Sequence, residues 1–191
     1  MNEISLFIRK LTVPPVFAAL MLIITYVAHP EYYGSFWHFA AGIVFLAVLP
    51  VLAYPLQKYI PKFRSKGREG QRTLAMLFSA AGYFLGTGIS FLYNSPIQLK
   101  IIYLEYLLCG ILILLFNKLL RLRASGHACG IVGPVLLLAY LKLYIPAIIG
   151  TVLIIPVFVS SVKTKRHTVF QLIAGSIIPI AALIFIHFII I

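Results

Sequence analysis

The sequence predicts an all-α protein, a polytopic transmembrane helical bundle with six or seven spans. Three observations carry this. The 191-residue chain is 62% hydrophobic and only 10% charged, where a soluble domain carries about a quarter charged residues. Its mean hydropathy is +1.04. Seven apolar stretches approach the ~20 residues a bilayer crossing needs: 11–28, 37–56, 73–93, 99–117, 128–144, 145–162 and 168–191. The loops between them leave no room for a soluble domain, so residues 1–191 are expected to form a single integral membrane domain. A soluble all-α protein is excluded because nothing would cover so much apolar surface.

The first span opens at Thr12-Val13-Pro14-Pro15. Proline is tolerated in a first helical turn, where its missing N–H costs nothing. The run is long, follows Arg9-Lys10 and lacks a small-x-small cleavage site, so it reads as a span and not as a cleaved signal. Ala28-His29-Pro30-Glu31 closes it, and the short loop that follows carries Tyr32, Tyr33, Phe36 and Trp37, the rings of an interfacial belt.

After the second span comes the longest polar segment, residues 56–72. Its Lys66-Gly67-Arg68-Glu69-Gly70-Gln71-Arg72 reads as a loop, because two glycines give the backbone unusual freedom. Asn94-Ser95-Pro96 marks the turn after the third span. Ser125 is suited to cap the fifth segment, and Thr164 to cap the last. The fifth and sixth segments share one apolar run broken only at Tyr144-Ile145-Pro146, which admits either a tight hairpin or one broken helix. Cys109 and Cys129 lie in or beside apolar segments with no CxxC pair, as small core residues do.

The net charge of +12 is not a nucleic-acid signature, because the cations sit in loops beside spans. An even number of crossings separates the loops Lys58–Arg72, Lys118–His127 and Lys163–His167, so all three share one membrane face. With Arg9 and Lys10, that face holds 14 of the 16 Lys and Arg residues; only Lys100 and Lys142 lie near the other. Positive loops stay cytoplasmic, so the basic face is expected in the cytosol.

Two histidines stand on this face at helix starts, His127 after Ser125-Gly126 and His167 after Lys163-Thr164-Lys165-Arg166. A helix N-terminus presents free N–H groups and the positive end of a dipole, which suits an anion. Four residues separate His167 from Gln171, so on a helix they share a face. Gln171 can then accept a hydrogen bond from one ring nitrogen and leave the other to attack phosphorus, the orienting role of a triad's third member. The plainer reading makes Gln171 an interhelical hydrogen-bonding residue and the histidines interfacial. His29, His38 and His187 show no ligand spacing, and the four glutamates are scattered, which argues against a magnesium–carboxylate site.

These residues resemble the phosphatidic acid phosphatase type 2 superfamily, whose pattern is K-x6-R-P, then P-S-G-H, then S-R-x5-H-x3-D on six membrane helices. Ala124-Ser125-Gly126-His127 is similar to the second part, and Ser160, His167 and the following Ala174-Gly175 to the third. The first part is matched loosely, by Lys66 or Arg68 with Arg72 and no following proline. Ser161 stands where the family has its phosphate-binding arginine, and Gln171 where it has Asp, as in some bacterial relatives.

The resemblance implies His167 as nucleophile through a phosphohistidine, His127 as general acid and Gln171 as orienter. Lys66, Arg68, Arg72, Lys163 and the Ser125–Gly126 amides would hold the phosphate. It implies no cofactor and no metal. The expected function is metal-independent hydrolysis of a lipid phosphate or isoprenyl diphosphate in a bacterial cytoplasmic membrane. The alternative, favoured by Ser161 and Gln171, is a non-catalytic relative that binds or moves an anionic lipid. Many family members face their site outward, against the charge rule; the expectation of a cytosolic face follows the charge rule. No nucleic-acid partner is expected, and the oligomeric state is open.

Overall fold

The computed structural model describes residues 13–190. Arg9, Lys10 and the first residues of the opening apolar stretch lie outside them. The protein is an all-α bundle of α1 (Pro14–Ala28), α2 (Phe36–Tyr59), the short α3 (Pro61–Arg64), α4 (Gly67–Leu92), α5 (Ile97–Leu119), α6 (Gly126–Tyr140), α7 (Tyr144–Lys163) and α8 (Val169–Ile190). Five of these, α2, α4, α5, α7 and α8, are long and apolar enough to cross a membrane, and the chain is an integral membrane protein. α1 and α6 are apolar but only 15 residues long. At 1.5 Å per residue that is ~22 Å against a hydrocarbon core of ~30 Å.

The short α6 is the centre of the bundle. It packs on α1, α5, α7 and α8 and buries Ala128, Cys129, Ile131, Gly133, Pro134, Val135, Leu137 and Leu138. Being wrapped by other helices excuses its length, because its apolar side chains are buried against protein. α4 packs between α2 and α5. Its buried Gly82, Gly86 and Ser90 recur every fourth residue, the small-residue stripe that lets membrane helices approach closely. A Cβ on Gly86 would sit 2.1 Å from the Tyr103 ring of α5, and one on Gly82 2.3 Å from the Phe45 carbonyl of α2. Phe45 belongs to a π-helical turn, Val44–Val48, just before Pro50. A proline ring clashes with the carbonyl four residues back and lacks the N–H that would bond it; the wider turn relieves that clash.

The hairpin alternative holds at the fifth and sixth segments. α6 ends in a Schellman turn: Lys142 takes φ +66°, Lys142 N–H donates to the Ala139 carbonyl at 3.0 Å and Leu143 N–H to the Leu138 carbonyl at 2.9 Å. Pro146 then falls in the first turn of α7, where no N–H is needed. The same turn closes α4 at Asn94 (φ +47°) and α7 at Lys165 (φ +53°), none of them glycine.

Three expectations are corrected. The segment 66–72 is not a loop: α4 begins at Gly67. Only Gly67 uses left-handed freedom, at φ +52°; Gly70 serves close approach, since a Cβ there would lie 2.1 Å from the Phe63 carbonyl. Gln57 Nε2 staples this corner by donating to the carbonyls of Phe63 at 2.9 Å and Gly67 at 2.6 Å. Thr164 does not cap α8; it is the C-cap of α7, and its hydroxyl donates to the Ser160 carbonyl at 2.8 Å. Of the expected aromatic belt, Phe36 and Trp37 are exposed, but Tyr33 is fully buried, its hydroxyl bonded to Thr25 Oγ1 and to the Leu22 carbonyl.

Candidate functional site

His167 does not lie on a helix. It precedes Thr168, and α8 starts at Val169. The contact with Gln171 forms all the same, through a capping box. Thr168 Oγ1 accepts from Gln171 N–H at 3.2 Å, and Gln171 Oε1 accepts from Thr168 N–H at 3.3 Å. Two orphan donors of the helix start are thereby satisfied reciprocally. The signature Thr168-x-x-Gln171 stands in the sequence and was the available signal.

This box fixes the tautomer of the histidine. A backbone N–H only donates, so the amide atom facing Thr168 N–H is the carbonyl oxygen. The same Oε1 lies 3.3 Å from His167 Nδ1. A carbonyl oxygen only accepts, so a neutral His167 carries its proton on Nδ1 and its lone pair on Nε2. Burial is the main cause holding the His167 pKa below its ordinary value. The Gln171 hydrogen bond opposes it, and the positive charges of Arg72 and Arg166 add to it. His167 is therefore a neutral base in a cationic setting.

The Ser125-Gly126-His127 corner meets this pair. Ser125 is the N-cap of α6, its Oγ accepting from Ala128 N–H at 3.2 Å. Its own backbone N–H donates to the Gln171 carbonyl at 2.9 Å. Further along α8, a Cβ on Gly175 would sit 2.3 Å from the Ser125 carbonyl. The start of α6 thus lies against the first two turns of α8, recessed below the start of that helix. Asn117, in the π turn that ends α5, secures the strand before the corner by donating from Nδ2 to the Ala124 carbonyl at 3.1 Å. His127 is half-buried in the first turn of α6 and Gly126 is exposed.

Of the cations nominated from the sequence, Lys66, Arg68, Arg72 and Lys163 are all exposed. Lys66 stands at the N-cap position of α4 and Arg68 in its first turn. Arg72, one turn on, acts on His167 by its charge. Lys163 ends α7; from that loop the charge acting on His167 is Arg166's, whose N–H closes the Schellman turn on the Ser161 carbonyl at 3.1 Å. The remaining histidines hold structural bonds: His29 Nδ1 to Glu31 at 2.8 Å, His38 Nδ1 to the Tyr33 carbonyl at 2.9 Å, and His187 Nδ1 to Tyr140 Oη at 3.0 Å.

Sequence reasoning passed over Glu105. It is buried in α5 and borders a cavity of about 290 Å³ among α1, α2, α4, α5 and α6. Of the site residues, only Gly126 borders that cavity. No protein-family model, curated protein or solved structure matches the chain.

Proposed function

We propose that this protein is a metal-independent membrane phosphatase that hydrolyses a lipid phosphate or isoprenyl diphosphate, a divergent relative of the phosphatidic acid phosphatase type 2 superfamily. The observation that carries the reading is the oxygen of Gln171, which takes both Thr168 N–H and His167 Nδ1 and so points a Nε2 lone pair away from its own helix start. His167 Nε2 attacks phosphorus, the phosphohistidine forms, and the leaving oxygen takes a proton from His127. Water then gives a proton to His127 and attacks phosphorus, breaking the P–N bond and freeing His167 and phosphate. Arg72, Arg166 and the amides at the start of α6 neutralise the oxygens of the transferring group; Lys66, Arg68 and Lys163 raise the local anion concentration. Phosphoryl transfer asks the protein chiefly for positioning and charge stabilisation. The proposed location is a bacterial cytoplasmic membrane, with the basic face in the cytosol.

The test is phosphate release by the purified chain from a panel of lipid phosphates and isoprenyl diphosphates, with EDTA present. Turnover that persists in EDTA and vanishes in His167→Ala supports the reading. Equal release by His167→Ala assigns the activity to a contaminant and favours a non-catalytic protein that binds or moves an anionic lipid. The substitution Gln171 for a carboxylate, which weakens support of a charged imidazole, is the observation that keeps this second reading in play.

A further inference from the structure

The cavity beside Glu105 is apolar along most of its wall, with Met76, Phe84, Ile111 and Pro134 among its lining. Its polar lining comes mainly from α5, with Glu105, Tyr106 and Cys109, and from the facing α4, with Ser79 and Tyr83, whose ring lies 5.5 Å from that of Tyr106. The Glu105 side chain is 1% exposed, and its Oε1 accepts from Cys109 Sγ at 3.4 Å. Across the helix interface, a Cβ on Gly133 would lie 2.7 Å from that same oxygen, so α6 approaches closely and fixes the carboxyl in place. Among the described residues no Lys, Arg or His nitrogen forms an ion pair with Glu105; the ion pair found there is His29–Glu31. Beside it, Tyr106 is 6% exposed and lines the cavity, and its hydroxyl has no hydrogen-bond partner among the described residues.

An ionisable group inside a membrane protein is costly and marks function by default. A buried hydroxyl left unpaired costs ~1–3 kcal/mol. The two groups are complementary to one ligand group in particular. A hydroxyl can donate to the Glu105 carboxyl and accept from Tyr106 O–H at once. An ammonium could donate to the carboxyl and to the Tyr106 oxygen but would leave the Tyr106 proton without an acceptor, and a chain carrying a net charge of +12 repels it. A bare hydrocarbon would leave both groups as they are. At about 290 Å³ the cavity stands at the lower edge of small-molecule sites, which run from roughly 300 Å³; it suits one apolar chain and not two.

We infer that the cavity is a binding site for a single-chain lipid alcohol, with the hydroxyl held between Glu105 and Tyr106 and the chain along the apolar wall. A lipid alcohol is also what hydrolysis of a single-chain lipid phosphate releases. The inference therefore deepens the phosphatase reading, and the wall at Gly126 brings the cavity beside the corner that carries His127.

The test is equilibrium binding of tritiated 1-dodecanol to the purified full chain in nanodiscs, with empty nanodiscs subtracted. Saturable binding is expected, competed by unlabelled dodecanol and about three- to tenfold less well by 1-aminododecane, which loses one hydrogen bond, and less well still by dodecane, which loses both. Tyr106→Phe removes only a hydroxyl with no protein partner, so the chain should fold, and binding should weaken about three- to tenfold. Glu105→Leu should weaken it further. Equal competition by dodecane, tighter binding of the amine, or unaltered binding by Tyr106→Phe would overturn the inference, the last assigning a water to the Tyr106 hydroxyl. The assay is repeated on His167→Ala. Binding there without phosphate release by the wild type sinks the phosphatase reading alone, and release without binding sinks this inference alone.

Discussion

Ser125 N–H donates to the Gln171 carbonyl at 2.9 Å, joining two segments 46 residues apart in the chain. The bond is possible only because Gly175, one turn further along α8, has no side chain to strike the Ser125 carbonyl. Gly175→Ala would put a Cβ 2.3 Å from that oxygen. The oxygen belongs to a backbone already fixed by its bond from Cys129 N–H at 3.0 Å, so it cannot swing aside. Overpacking of this kind costs about 1–3 kcal/mol. The expected outcome is a lower melting temperature in detergent and a drop in phosphate release larger than the loss of folded protein. Wild-type stability and rate in Gly175→Ala would show that the two helix starts are not held as described.

Thr168 orders the catalytic candidate at one remove. In Thr168→Ala the Gln171 N–H loses its acceptor, and loss of an N-cap costs about 1 kcal/mol. The Gln171 amide then loses half of the box that fixes its orientation. The expected kinetic effect is a fall in kcat with little change in KM. Thr168→Ser keeps the hydroxyl and should restore most of it, an outcome that mere loss of packing would not give.

The pH dependence follows from the direction of the His167 shift. In the proposed mechanism His167 attacks as the neutral imidazole, and burial with two nearby arginines holds its pKa below the ordinary imidazole value of about 6.5. The acid limb of kcat/KM should therefore have its midpoint below about 6.5. Arg72→Gln removes a charge that lowers the pKa, so the midpoint should move to higher pH while the plateau falls. Substrate titration is common to both proteins and cancels in the comparison. The same linkage acts on stability. A folded state that binds fewer protons than the unfolded one is fully stable above the unfolded value and loses stability as pH falls from there to the folded value. An acid limb unmoved by Arg72→Gln would separate that guanidinium from His167.

His127 should declare itself through the leaving group. A general acid matters when the departing oxygen is basic and little when it is not. His127→Ala should cost about 10²–10⁴-fold with an alkyl phosphate and much less with a nitrophenyl phosphate. An equal loss on both would assign His127 to phosphate binding and not to proton transfer.

The five spanning helices were legible because an apolar run of bilayer length needs no period to be recognised, and the two 15-residue helices α1 and α6 also fall on apolar runs visible in the sequence. Helix ends were harder. Thr164 and Thr168 have the same chemistry four residues apart, and only the Gln three residues after Thr168 distinguishes the N-cap. Residues 66–72 read as a loop because two glycines suggest freedom, yet Gly70 is there for a contact with Phe63 that no local pattern encodes. Ser125, His127, His167 and Gln171 could be named from motif resemblance, and the even number of crossings put them at one end. The Gly175–Ser125 approach and the Glu105–Tyr106 cavity were out of reach, since each depends on which faces of two helices meet. Glu105 does stand out as the one carboxylate in the apolar run 99–117, but nothing local shows whether it faces a cavity or a neighbouring helix.

The last prediction concerns which way the basic end faces. Lysines and arginines beside spans resist translocation, so an end holding 12 of the 14 among the described residues should remain in the cytosol. Ser65 is exposed at that end, between α3 and α4. Cys109 and Cys129 are buried, so they give little background to a thiol reagent. Ser65→Cys should therefore resist a membrane-impermeant maleimide added to intact cells and react once the cells are opened. Asn94→Cys, at the opposite end of α4, should show the reverse pattern. Labelling of Ser65→Cys from outside would turn the protein over and put the phosphate chemistry on the outer face. The cations would then be explained by anion binding and not by topology.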